Sequence, residues 1–254
     1  MRELSDKEQL RYSRHLMLKE VGLEGQLKLK AAHVVVIGAG GLGSPALLYL
    51  AASGVGELTL LDNDKVELSN LQRQVLYKVN HLGQAKVSAA GKVLGSLNNQ
   101  IIVNSINQQL TEQNAEQVFK SATLVLDCSD NFATRYTVNR YCLKAGVPLI
   151  SGAALATEGQ LMCFDFREQP SPCYNCLYPE QTEQPVLNCD NAGVLSPLLG
   201  VIGSMQALLS VNLLLGHHQG SLFVRFDGLS MAQQQFKLSK VPECQECGDK
   251  QYNT

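Results

Sequence analysis

Short, continuously apolar runs alternate with longer helical stretches through the first half of the chain, which predicts a parallel sheet buried on both faces. The run His33-Val-Val-Val-Ile-Gly38 reads as a β-branched strand ending in glycines. A helix is expected from Leu42 to Ser53 and a second strand from Glu57 to Asp62, giving a βαβ unit with a right-handed crossover. Further strands are predicted at Ile101–Ile106, Leu124–Asp127 and Val147–Ser151, with helices at Gln84–Leu97, Glu112–Phe119 and Thr134–Ala145. Near the N-terminus, Ser5 and Glu8 have the spacing of a capping box, opening a helix to about His15 with Arg11 and Arg14 on one face.

After Ser151 the texture changes. Gln160–Phe166 and Ser221–Phe226 alternate as antiparallel strands do, so the expected fold is α/β, a doubly wound and mostly parallel Rossmann-like sheet extended by antiparallel strands. Between Glu168 and Asn191 four prolines mark a long surface crossover. The reading is one domain over residues 1–254, with a nucleotide-binding core at 1–151 and an extension, crossover and tail at 152–254. Ala192–Gly216 carries no charge and is long enough for a membrane span, but it contains Pro197, Ser196, Ser204, Ser210, Gln206 and Asn212. It is read as a buried helix, at a subunit contact, with Gly200 and Gly203 allowing close backbone approach.

Composition narrows the partners. A net charge of −2 and 17% charged residues point to neither nucleic acid nor an anionic membrane. The charged N-terminus lacks the apolar stretch of a secretory signal, so the chain is expected in the cytoplasm. In a reducing compartment, the eight cysteines are read as metal ligands and core residues rather than as disulfides. Cys173-x-x-Cys176 and Cys244-x-x-Cys247 supply the four thiolates of a tetrahedral, structural Zn²⁺ site. With about 70 residues between the pairs, such an ion would tie the tail back onto the crossover. A redox Cys-x-x-Cys is the competing reading. Cys128, Cys142 and Cys163 fall in strand or helix patterns and are read as small core residues.

Candidate chemistry begins at Gly38-Ala-Gly40-Gly41-Leu-Gly43, between a strand and a helix, where phosphates can approach backbone N–H groups at a positive helix end. Asp62 ends the next strand, about 20 residues on, where an acid accepts hydrogen bonds from ribose hydroxyls. Alone, this fingerprint would announce an NAD-dependent oxidoreductase. Three further clusters argue otherwise: Asn70 and Arg73, Lys86, and Asp127 with Asp130. Cations and a carboxylate around a triphosphate serve nucleotidyl transfer and give hydride transfer nothing. A zinc-stabilised binding module with a degenerate nucleotide site is the third reading.

Taken together, Arg11-Tyr-Ser-Arg14, the glycine turn, Ser69-Asn-Leu-Gln-Arg-Gln74, Lys86, Asp127-Cys-Ser-Asp-Asn131, Ala192-Gly-Val194 and the two cysteine pairs resemble the MoeB/ThiF/HesA family of ubiquitin-activating-enzyme-like adenylyltransferases. The resemblance runs from about Leu4 to Gly248. It implies a homodimer that uses ATP with Mg²⁺ to activate the C-terminal carboxylate of a small ubiquitin-like sulfur-carrier protein ending in Gly-Gly.

It also implies roles. Asp62 would bind ribose, Asn70 and Arg73 would line the phosphate site, Lys86 would contact the triphosphate and Asp130 would hold Mg²⁺. Asp127 would support it, unless one of the two acids simply caps a helix. Arg14 would act across the dimer interface as an arginine finger. Cys189 is a candidate for covalent linkage to the carrier or for sulfur handling, and a loop cysteine without a task is the alternative.

Glu3-Leu-Ser-Asp6, Ser151-Gly-Ala-Ala154 and Glu158-Gly-Gln160 look like the molybdopterin-synthase branch. Cys173-Tyr-Asn-Cys-Leu-Tyr-Pro179 and Phe226-Asp-Gly228 lean towards the thiamine-thiazole branch. The former is favoured. No rhodanese-like segment follows Cys247, so any sulfur donor is expected to be another protein.

Overall fold

The computed structural model describes residues 3–167, 170–180 and 193–248. Five parallel strands come first: β1 (His33–Ile37), β2 (Glu57–Leu61), β3 (Ile102–Ile106), β4 (Leu124–Asp127) and β5 (Leu149–Leu155). Antiparallel strands β6 (Glu158–Phe164), β7 (Leu222–Asp227) and β8 (Gln233–Lys237) continue the sheet beyond β5. The order is β3-β2-β1-β4-β5-β6-β7-β8, so the chain reverses its direction of travel across the sheet between β1 and β4. In open α/β sheets, ligands bind at that reversal, outside the carboxyl ends of the strands.

Alternate residues of the inner strands feed two cores. Val34, Val36, Leu124 and Leu126 face one side with α4 (Gly43–Ser53) and α5 (Lys86–Leu97), whereas Val35, Ile37 and Val125 face the other with α6 (Glu112–Phe119) and α7 (Phe132–Ala145). Every residue of β4 is buried, as a strand covered on both faces must be.

Ser5 makes the expected capping box with Glu8. The helix it opens is nonetheless split, into α1 (Asp6–Arg11) and α2 (Ser13–Leu16). Tyr12, between them, is buried and its hydroxyl accepts from Asn98 Nδ2 at 2.8 Å. Because the helix breaks there, Arg11 and Arg14 do not share partners: Arg11 donates to the Leu97 carbonyl, and Arg14 contacts Met17 Sδ. Neither α3 (Gly22–Ala31) nor β8 had been expected. The former has no apolar stripe, and all five residues of the latter are exposed.

Helix α9 (Ser196–Leu215) is the charge-free segment anticipated from the sequence. It is the one helix among the described residues long and apolar enough to cross a membrane, and just over half of it is buried inside this fold. Its buried side packs on α4, β5, β6 and α3. Gly203 allows the closest approach, since a Cβ there would strike the Leu42 carbonyl and lie 2.6 Å from Pro45 Cγ. Gly203→Ala should therefore cost about 1–3 kcal/mol by overpacking against backbone. Gly95→Ala, on an open part of α5 with nothing within 4 Å, should hold or raise stability. Thermal denaturation of both variants checks the pair.

Candidate active site

A cleft of about 1180 Å³ opens where β1 and β4 end. Its first wall is the turn from β1 into α4. Gly38 there has φ +92°, and a Cβ would come within 2.8 Å of the Cys128 carbonyl, so the turn lies directly against the loop leaving β4. At the helix start, a Cβ on Gly43 would collide with the Gly38 carbonyl. Gly40 and Gly41 line the cleft itself.

Asp62 follows β2 and is oriented by backbone. Its Oδ2 accepts from Ala39 N and its Oδ1 from Asp64 N, each at 2.8 Å. Asn70 ends a single 3-10 turn (Leu68–Asn70), where its Oδ1 accepts from Glu67 N at 3.2 Å. One turn on, Arg73 Nη1 donates to the Ser69 carbonyl at 3.1 Å. Lys86 is the first residue of α5, an unfavourable place for a cation. It is 5% exposed, and Asp64 compensates for the helix dipole with an ion pair at 2.8 Å.

Gly38, Gly40, Gly41, Asp62, Asn70, Arg73, Lys86 and Asp130 all border this one cleft. Gly43, the first residue of α4, does not line it. Arg14, expected to act in a partner's cleft, is exposed and lies outside that of its own chain. Neither Asp127 nor Asp130 caps α7; Asn131 does, accepting from Thr134 N at 2.9 Å. Asp127 instead accepts from Ser129 and Ser151 and pairs with Arg135. Cys189 lies outside the described residues.

Asp64 and Arg135, which no motif singled out, also line the cleft, as does Gln74 at the end of the Ser69–Gln74 motif. Arg135 lies in the first turn of α7, where an arginine ordinarily reads as a solvated face. Asp64, two residues after Asp62, could have been found as a second acid on the same turn. Gln74 Oε1 is buried without a partner among the described residues.

On the far side, Cys173 immediately precedes α8 (Tyr174–Leu177), which contains Cys176. The Sγ atoms of Cys173, Cys176, Cys244 and Cys247 all lie within 4.8 Å of one another, with Cys173–Cys244 at 3.7 Å and Cys176–Cys247 at 3.3 Å. Tetrahedral thiolates at Zn–S distances near 2.3 Å sit about 3.8 Å apart, so the donor set fits Zn²⁺. Hydrogen bonds from Cys173 and Cys247 hold the Cys176 thiol far below its ordinary range, while Cys173 is pushed up to about 12 chiefly by its bond to Cys176. Tyr174 and Tyr178, beside these cysteines, line the cleft.

With this geometry stands a match to the ThiF family over residues 12–246. The chain belongs to that family. Among curated relatives, the molybdopterin-synthase adenylyltransferase of Salmonella typhimurium is 44% identical over 98% of this chain and 100% of that protein. Its Escherichia coli counterpart is 42% identical over the same shares. The adenylyltransferase and sulfurtransferase MOCS3 of Culex quinquefasciatus is 44% identical over 97% of this chain but only 57% of its own length. Among solved structures, E. coli MccB with ATP superposes with a TM-score of 0.80 at 24% identity, over 94% of this chain and 75% of that one. At that identity the likeness speaks to the fold alone.

Cys128, Cys142 and Cys163 are buried, as expected of core residues. Burial pushes all three thiols up, Cys163 to about 12. Below those values they stay protonated and unreactive, so native protein at pH 8 should leave all three unalkylated by iodoacetamide, and urea-unfolded protein should not. Peptide mass mapping reads the difference.

Proposed function

We propose that the chain is an ATP-dependent adenylyltransferase that activates the C-terminal glycine carboxylate of a small ubiquitin-like sulfur-carrier protein for molybdopterin synthesis. The observation that carries this reading is one cleft bordered at once by a glycine turn, two cations from separate stretches, and an exposed acid. Whole-length identity to molybdopterin-synthase adenylyltransferases favours that carrier over the thiamine-thiazole one.

In the reaction, a carboxylate oxygen attacks the α-phosphorus of ATP. The O–Pα bond forms, the Pα–O bond to the β-phosphate breaks, and pyrophosphate leaves with that electron pair. Like charges oppose the approach: two unit charges about 4 Å apart interact by roughly 4 kcal/mol at an effective dielectric near 20. Arg73 and Lys86 offset that repulsion, and the N–H groups of the glycine turn receive phosphate oxygens. Asp62, already oriented by two backbone donors, takes the ribose hydroxyls. Asp130 offers the hard oxygen that suits Mg²⁺, which adds positive charge beside the phosphates when bound with the nucleotide.

The active form is a homodimer in which Arg14 enters the partner's cleft. The exposed flank of α9 supports this, because Gly200, Val201 and Met205 border an apolar groove of about 680 Å³ with Tyr49 and Val75. The thiol cluster holds one structural Zn²⁺ per chain. Seven described cysteines, all free of disulfides, suit a reducing cytoplasm.

ATP–pyrophosphate exchange stimulated by a purified carrier ending in Gly-Gly tests the reaction; none in wild-type protein would overturn it. Lys86→Ala and Asp130→Ala should each lower exchange by about 10²–10³-fold. Mixing inactive Arg14→Ala and Asp130→Ala chains should restore about a quarter of wild-type activity, since half the dimers are mixed and each keeps one intact site. No recovery would mean that each cleft uses its own Arg14, with none shared between subunits.

Elemental analysis should find about one zinc per chain. Cysteine ligands bind as thiolates, so acidification should release the ion and lower the melting temperature, with retention favoured as pH rises. A metal-free protein with an unchanged melting temperature would dismiss the structural role.

A further inference from the structure

A guanidinium sits beneath the acidic loop of the cleft. Arg135, on α7, is 7% exposed, and both its terminal nitrogens are engaged. Nη1 donates to Ser151 Oγ at 3.0 Å, and Nη2 donates to the Ser129 carbonyl at 2.6 Å. That carbonyl belongs to the residue immediately before Asp130. Asp127 grips the same loop from the strand side: its Oδ1 accepts from Ser129 N at 3.0 Å and from Ser129 Oγ at 2.5 Å. Its Oδ2 accepts from Ser151 Oγ at 2.8 Å and lies 3.6 Å from Arg135 Nη1.

Asp127, Ser129, Arg135 and Ser151 thus close a ring around the connection between β4 and α7. Stability alone gives little reason for it, because replacing a buried ion pair by packed apolar residues is often neutral or favourable. Asp130, next along the loop, is exposed, so the direction of its carboxylate depends on the backbone that the ring holds.

We infer that Arg135 is a positioning residue, which clamps the Ser129 carbonyl so that Asp130 faces the phosphates of the bound nucleotide. The inference rests on the adenylyltransferase reading for the phosphates and on the ring itself for the clamp. Arg135→Lys separates the two, because an ammonium keeps the charge but lacks the planar fork that spans both acceptors.

In nucleotide-free protein, amide hydrogen exchange at Ser129–Asn131 should rise about fivefold or more in Arg135→Lys, with the strands of the sheet unchanged. Pyrophosphate exchange should fall about tenfold in kcat while the KM for the carrier stays near the wild-type value. A second variant, Arg135→Met with Asp127→Leu, removes both charges together and should remain slow even where it melts as the wild type does. Wild-type amide protection together with wild-type kcat in Arg135→Lys would overturn the proposal, as would faster amide exchange throughout the sheet. Absence of pyrophosphate exchange in the wild type would instead sink the adenylyltransferase reading, and the amide measurement would still decide whether Arg135 holds the loop.

Discussion

The site depends on backbone meeting backbone where two neighbouring parallel strands end. After β1 the chain turns through Gly38 and leaves on one face of the sheet as α4; after β4 it turns through Cys128–Asn131 and leaves on the other as α7. The two turns touch, so closely that any side chain at position 38 would meet the Cys128 carbonyl. Because the helices diverge, a crevice remains above that contact. Its walls bring a glycine-rich helix start, the acids after β2 and the start of α5 to one cavity.

Behind the crevice, α9 is nearly all apolar, and apolar surfaces can slide. Polar contacts fix its place. Gln206 Nε2 donates to the Asp127 carbonyl at 3.0 Å, and its Oε1 accepts from Cys128 Sγ at 3.5 Å. A shift of the helix would leave buried groups unpaired, at a cost of about 1–3 kcal/mol each. One glutamine therefore ties the long helix to the end of the strand from which the acidic loop departs.

The cysteine cluster acts on the opposite wall. It brings the Cys244–Cys247 segment against α8; Tyr174 in that helix and Tyr178 just after it line the cleft, with the Tyr178 hydroxyl donating to Gln160 Oε1 at 2.8 Å. Arg140 reinforces the junction by pairing with Glu112, Glu180 and Glu246. Four thiols from two distant stretches thus converge beside an aromatic wall carried by a helix of a single turn.

Much of this was legible in the residue order. Strands buried on both faces are mostly apolar, so β1, β2 and β4 stood out; the glycine turn and the cysteine pairs stood out by residue type and spacing, and Asn70, Arg73, Lys86 and Asp130 through the motifs shared with the family. What carried no local signal went unread. Exposed β8 has no buried face to impose a pattern, and the helix breaks at Tyr12, whose buried hydroxyl meets Asn98, distant in sequence. Arg135 is the sharpest case. Its helix gives it a position, but only the folding of Asp127, Ser129 and Ser151 around it creates a buried charge with partners, and such partnership is a property of three-dimensional neighbours.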